Sequence, residues 1–402
     1  MAIKKESIKY SLNNLRQRKL RSIFTIVSIL AGITTIFIFV SFGMGLYKYV
    51  EEISAGGSAD KIIIQAKGIG MAGIDTTFKL TEDDLNAVER TSGVYEATGL
   101  YFKTAEVVQD KKKIYTLIFG YDPEKPMIMD LSDLDIFTGR ELKGNEENIV
   151  LGYNYQFADK IFPKPYSLGE KIEVQGQKIK IVGFYSAVGS PQDDAQIYVT
   201  KEFMEKIYSD ENLSYNWIVA KVDITKIDTI VENVEKALRK QRNLEEGKED
   251  FFVQSFDDMI ETYMVVLDTV VGFIILIALI SVLVSAINTA NTMITSVLER
   301  VREIGIMKSI GARNSEIFNI FLFESSFLGF IAGTLGVILG VILTSIGKII
   351  LDGLGYSFLS PYYSFSLFFG CILFAVLTGA ISGIVPAIRA TRINPVEALR
   401  YE

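Results

Sequence analysis

The sequence predicts an α-helical membrane protein: four transmembrane helices, with a large two-lobed mixed α/β domain of α+β character between helices 1 and 2. Three observations carry the prediction. The apolar residues are 49% of 402, an ordinary share, yet they are clumped into four uncharged stretches. The long segment between the first two stretches alternates strand and helix periodicities. Positive charge gathers on one side of the first stretch only.

The stretches are residues 22–47, 269–298, 325–347 and 353–388, which are 26, 30, 23 and 36 residues long. About 20 apolar residues cross a ~30 Å hydrocarbon core, so each qualifies as a span. The last is interrupted by Pro361, which places its span at about residues 364–388. Buried helices of a soluble protein rarely stay uncharged for so long. The composition also excludes chemistries. With no histidine there is no Ser-His-Asp or Cys-His catalysis and no His-ligated metal. One cysteine, Cys371, allows no intrachain disulfide and no all-cysteine metal site. The net charge of -7 argues against nucleic acid as a partner. No catalytic, metal or cofactor-binding residue is therefore expected.

Residues 1–21 are expected to be cytoplasmic, with residues 8–21 an amphipathic helix. Ile8, Leu12 and Leu15 share one face, and the basic residues around them suit an anionic lipid surface or an ordinary span flank. Lys4, Lys5, Lys9, Arg16, Arg18, Lys19 and Arg21 precede the first span, whereas Lys48 alone follows it up to residue 59. That bias puts the N-terminus in the cytoplasm, and four spans bring the C-terminus back there. The first span exceeds a signal-peptide core and lacks an A-x-A-like cleavage site, so it reads as an uncleaved anchor in the cell membrane.

Residues 48–264 then form the extracytoplasmic domain. Residues 47–268 hold 40 acidic and 26 basic residues, leaving the remainder of the chain at +7. Residues 61–65 (KIIIQ) read as a strand. Residues 81–90 (TEDDLNAVER) read as a helix capped by Thr81, with acidic residues at its positive end. Residues 94–109 and 113–121 read as a hairpin around 110–112, and residues 171–174 and 178–184 as a second hairpin with Gly176 in its turn. Further strands are expected at 197–199, 215–222 and 251–254. Ile230, Val234 and Leu238 mark an amphipathic helix over 226–242. The helix entering the second span starts near residue 257. A lobe of about residues 122–212 is expected to be inserted in a lobe built from both ends of the segment. Trp217 and the tyrosines read chiefly as strand-packing residues.

The rest, residues 265–402, carries three patterned stretches. In the second span, Ser281, Ser285, Asn288, Thr292 and Thr295 step by 4, 3, 4 and 3 along one face. Polar groups in lipid are costly, so this stripe should face another helix, a subunit or a hydrated cleft. Residues 299–324 (ERVREIGIMKSIGARNSEIFNIFLFE) lie between spans two and three. Arg300, Arg302, Lys308 and Arg313 balance Glu299, Glu303, Glu316 and Glu324. Ile304, Ile306, Met307 and Ile310 make this loop far more apolar than solvation needs, and Gly305 and Gly311 permit sharp turns. The expectation is a short apolar helix displayed toward a partner, which a charge at Met307 would disrupt. In the third span, Gly329, Gly333, Gly336 and Gly340 form a seam for close helix approach or a subunit interface. No G-x-x-x-x-G-K-[ST] phosphate loop occurs.

These stretches carry a family resemblance. Residues 14–33 (NLRQRKLRSIFTIVSILAGI) resemble the N-terminal segment of MacB-like ABC transporter permeases. Residues 299–313 (ERVREIGIMKSIGAR) and 383–402 (GIVPAIRATRINPVEALRYE) resemble the loop and C-terminal signatures of the FtsX-like permease domain. A looser likeness to the MacB-type core domain runs through the segment outside. The resemblance implies a dimer of four-span permeases gripped by two cytoplasmic ABC ATPase subunits. ATP and Mg would be held by those partners, and an extracytoplasmic adaptor is a further conceivable partner. It also implies that Glu299, Arg300, Arg302, Glu303, Ile304, Gly305, Ile306, Met307, Ile310, Gly311 and Arg313 form the ATPase-coupling element. Unlike MacB itself, this sequence carries no ATPase segment, so the ATPase is expected on a separate chain. Two functions follow from the resemblance: export or extraction of a hydrophobic, lipid, lipoprotein or peptide substrate, or mechanical control of a cell-wall hydrolase.

Overall fold

The computed structural model describes residues 19–55, 59–67, 78–132, 134–209 and 213–400. Residues 8–18 of the expected amphipathic helix lie outside the described residues. The first helix, α1, is Lys19–Ala55.

The domain that follows is a mixed sheet flanked by helices. Its elements are β1 (Lys61–Ala66), α2 (Glu82–Glu89), β2 (Val94–Gln109), β3 (Lys112–Tyr121), α3 (Met127–Ser132), β4 (Ile136–Gly139), β5 (Asn148–Leu151), β6 (Lys171–Val174) and β7 (Gln177–Tyr185). Then come β8 (Ile197–Thr200), α4 (Lys201–Ile207), β9 (Trp217–Val222), α5 (Ile227–Arg242) and β10 (Phe251–Ser255). The strand order is β10-β1-β9-β2-β3-β8-β5-β7-β4, with β6 pairing β2 and β7. The β3–β8 and β5–β7 pairs are parallel, and the other pairs are antiparallel.

Local chemistry explains the elements. Asp84 accepts from the Thr81 N–H at 2.7 Å and from its hydroxyl at 2.9 Å, which closes the start of α2. The first hairpin turns on Asp110 and Lys111, both in the left-handed region, so the turn is two residues and Lys112 already pairs with Gln109. The second turns on Gln175 and Gly176 in the same way. Alternation sorts the side chains onto two faces. Ile62, Ile64, Ala97, Tyr101, Ile218 and Ala220 pack with Leu85 and Val88 of α2 and Ile230, Val234 and Leu238 of α5. Ile63, Leu100, Phe102 and Val219 pack on the other face with Met127, Met129 and Leu131 of α3. Both faces of the central strands are thus covered. Arg242, at the end of α5, ties the domain's ends together. It donates to Asp84 at 2.7 and 2.9 Å, to Asp250 at 2.7 Å and to the Lys79 carbonyl.

The remaining helices are α6 (Phe256–Glu299), α7 (Val301–Ser309), α8 (Asn314–Leu354), α9 (Phe365–Thr391) and α10 (Pro395–Arg400). Among the described residues, four helices (α1, α6, α8 and α9) are long and apolar enough to cross a membrane. At 1.5 Å per residue the 44 residues of α6 reach about 66 Å, roughly twice a hydrocarbon core. The chain divides into two units: residues 1–46, 266–350 and 359–402 form one, and residues 47–265 and 351–358 the other.

Candidate functional site

The apolar loop between the second and third spans folds as a short helix held by a turn. Helix α7 ends in a left-handed glycine, Gly311 (φ +99), where a side chain would be strained. The Gly311 N–H donates to the Lys308 carbonyl at 3.1 Å and the Ala312 N–H to the Met307 carbonyl at 3.0 Å. This crossed pair satisfies two end carbonyls of the helix and reverses the chain. The Arg313 N–H then donates to Glu316 at 3.1 Å, opening α8.

One side of α7 is anchored to its own bundle. Ile304 is fully buried among Met293, Val297, Ile317, Phe321, Ala387 and Ala390. At Gly305, a Cβ would stand 2.6 Å from the Cβ of Ala398 in α10, so only glycine allows this approach. Lys308 Nζ donates to the carbonyls of Thr391 at 2.7 Å and Ile393 at 2.9 Å, at the negative end of α9. Arg300, 2% exposed, lies over the Phe321 ring at 5.0 Å and donates to Glu324 at 3.0 Å and Glu303 at 3.1 Å.

The other side is open. Ile310 is 81% and Ile306 48% exposed. Glu299, Arg302, Glu303, Gly311 and Arg313 are exposed with them, and Met307 is half-buried. The four apolar residues expected to be displayed together therefore divide: Ile304 is core, Met307 packs partly on that core, and Ile306 and Ile310 remain outside. A helix of this length cannot show all four on one face, because neighbours in sequence point about 100° apart. Arg300 likewise points inward, where its buried charge needs Glu324. Sequence reasoning missed three partners in this arrangement: Lys308, Glu324 and Ala398. A lysine and a glutamate bordering apolar runs, and a glycine where solvent alone would tolerate any residue, were the available signals.

The polar stripe of α6 is also split. Ser285 is buried, whereas Ser281 and Asn288 are exposed and Thr292 half-buried. Asn288 donates to Ser28 of α1 at 2.9 Å. Ser28, Ser281, Ser285, Asn288 and Asn291 line a shallow groove together with Val284 and Ile287. Thr292 donates to the Asn288 carbonyl of its own helix at 2.9 Å.

The glycine seam of α8 serves two neighbours. A Cβ at Gly333 would meet Ala375 of α9 at 2.6 Å, and Gly329 abuts the backbone of Ala375 and Val376. One turn on, Gly336 faces Ile33 and Gly340 faces Phe37, both on α1. Each glycine lets a neighbouring helix approach where a side chain would hold it off.

Comparison with known proteins agrees with this architecture. The MacB-like periplasmic core domain model matches residues 22–240, and the FtsX-like permease C-terminal model matches residues 275–395. The chain is 31% identical over 399 residues to the uncharacterized ABC transporter permease MJ1507 of Methanocaldococcus jannaschii, covering 98% of both chains. It is 27% identical over 424 residues to the uncharacterized ABC transporter permease YknZ of Bacillus subtilis, covering 99% of both. It is also 27% identical over 418 residues to the macrolide export ATP-binding/permease protein MacB of Mannheimia succiniciproducens, covering 99% of this chain and 61% of that relative. Matching models at both ends and a relative aligned along nearly the whole length place the chain in one family: it belongs to the MacB/FtsX-type ABC transporter permeases.

Proposed function

We propose that this chain is the membrane subunit through which a separate cytoplasmic ATPase drives movement of the α/β domain on the opposite side of the membrane. The observation that carries the reading is the two-sided character of α7. Its open side offers Ile306 and Ile310, rimmed by Arg302 and Arg313, to a partner. Its anchored side is fixed to α8 through Arg300–Glu324 and to α9 and α10 through Lys308 and Gly305. A push on such an element passes into the spans instead of bending a loop. In this reading ATP and Mg sit on the partner, and this chain supplies no catalytic group.

The lysines and arginines before residue 22, against Lys48 alone after the first span, support cytoplasmic termini. That orientation puts α7 in the cytoplasm as well. The substrate class is a hydrophobic molecule, a lipid, a lipoprotein or a peptide, acted on outside. A second copy of the chain completes the assembly. Of the four long helices α6 is the least covered, with 17% of its most apolar window buried against 33–44% in the others.

The test is a charge on the open side of α7. Ile310→Glu leaves the fold intact, because the residue is 81% exposed. It should abolish co-purification of the partner ATPase, since taking a carboxylate out of water into an apolar contact is costly. Met307 is the poorer probe, because it packs on the bundle's own core and its loss would confuse binding with folding. If the ATPase stays bound to Ile310→Glu with unchanged yield, α7 is not the contact.

A further inference from the structure

A cavity of about 330 Å³ lies within the α/β domain on the sheet face that carries α3. We propose that it binds a single acyl chain of an amphiphile, with the chain's ester or amide carbonyl directed at Trp217. The proposal rests on the reading above only for what the domain acts on; binding itself needs no ATPase.

Three observations carry it. First, the walls suit a flexible apolar chain. Phe119 and Tyr198 stack with ring centroids 5.5 Å apart, and Met259 and Ile260 add aliphatic surface, that of Met259 flexible. Three polar groups at the wall are already occupied with each other: Gln196 donates to Asp193 at 2.7 Å and accepts from Tyr198 at 2.9 Å. A ligand rich in its own polar groups would have to break that chain, whereas a hydrocarbon leaves it intact.

Second, one buried polar group is left over. The indole N–H of Trp217 is buried and meets no acceptor among the described residues. The ring is held on edge by Phe102, with centroids 5.6 Å apart, and forms part of the cavity wall. A buried donor without an acceptor is a standing cost, and few native groups tolerate one. A carbonyl near one end of an acyl chain brings the acceptor that this buried donor lacks. That pairing, one acceptor on a long apolar body, is what an acyl ester or amide presents.

Third, the cavity is lined by the residues that lead to and from two spans. Tyr49 stands two positions after the uncharged stretch ending at residue 47. Met259 and Ile260 stand on the helix that runs on into the stretch starting at residue 269. Chains that leave a bilayer are the apolar bodies such a place would meet.

Trp217 is the only tryptophan in the chain, so its fluorescence reports on this cavity alone. The full-length protein is placed in vesicles of dibromostearoyl phosphatidylcholine, and separately in unbrominated vesicles to which a dibromostearoylated peptide is added. Bromine quenches tryptophan on contact. At least a twofold loss of emission is expected in one arm or both. Loss in the first arm identifies a bilayer phospholipid as the source of the chain, and loss in the second a lipid-modified peptide. Two variants separate cavity binding from a general bilayer effect: Met259→Asp, which charges the wall, and Val188→Phe, which fills it. Each should restore emission to within about a tenth of the unquenched value. Quenching in neither arm overturns the proposal. So does quenching that persists in both variants, because the ring would then be reporting bilayer lipid and not a chain in the cavity. Neither result touches the ATPase contact at Ile310, which is measured by co-purification.

Discussion

Arg300 and Glu324 form an ion pair in which both side chains are almost fully buried, at 2% and 6% exposed. Such a pair contributes little relative to an apolar replacement, but removing one partner strands the other. Glu324→Ala removes the buried partner of Arg300 and leaves the exposed Glu303, so it should destabilise the helical unit by up to about 3–5 kcal/mol, and the double variant Arg300→Met/Glu324→Leu should recover most of that loss. Thermal unfolding in detergent measures both; equal melting of all three proteins would mean the pair is mechanically idle. A second pair, in the α/β domain, sets a pH dependence. Arg140 holds Glu146 by two hydrogen bonds of 2.7 Å, and with Asn148 and the Lys143 N–H it lowers the Glu146 pKa to about 2. A carboxyl lowered in this way stabilises the fold above its ordinary titration range, and the stabilisation fades as pH falls toward 2. Glu146→Gln should thus melt below the parent at pH 7 and converge with it near pH 2. None of these pairings was legible in the sequence. Glu324 stands 24 residues from Arg300 and enters a charge count as one of four acids balancing four bases. Only the fold decides which of them meet.

At the scale of elements, the patterns with short periods were readable and the assignments between elements were not. The glycines of α8 announce a close approach by their spacing, and the structure adds that Gly329 and Gly333 serve α9 while Gly336 and Gly340 serve α1. Gly340→Leu tests the second contact. Its Cβ would start 2.6 Å from Phe37, so overpacking of about 1–3 kcal/mol is expected, read as a lower melting temperature in detergent. Gly353→Leu, with nothing within 4 Å, is the matched control and should leave the melt unchanged. In the α/β domain the two hairpins, the capped α2 and the amphipathic α5 were all visible from alternation, turn residues and 3.6-residue spacing. The hidden feature was the route of β2. This strand of 16 residues pairs with β9 along its first part and with β3 and β6 along its second. A strand covered on both faces carries no mark of where its neighbours change, so the layout of the sheet did not follow from the sequence. The loop at 299–324 shows the same limit. Its excess of apolar residues was plain, but its division into an anchored and an open side needed α10, which lies some 90 residues on.

For the whole molecule, the proposed function requires energy to enter at α7 and leave at the α/β domain, with a second copy completing the assembly. The second copy is tested along α6, where Phe273, Ile277, Ile280, Leu283 and Ile287 recur on one exposed stripe. With Cys371 replaced by alanine the chain has no other thiol. Leu283→Cys in that background should oxidise to a disulfide-linked dimer in membranes, whereas failure to crosslink along this stripe would place the second copy elsewhere. The transmission itself is measured by spin labels. Tyr115→Cys, on the exposed face of β3, is labelled in the same cysteine-free background, and the distance between the two copies is read by pulsed electron resonance. ATP with vanadate, in the presence of the partner ATPase, is expected to change this distance, and Ile310→Glu to remove the change while leaving the nucleotide-free distance as it was. An identical distance with and without nucleotide, or a change that survives Ile310→Glu, would contradict the proposed function.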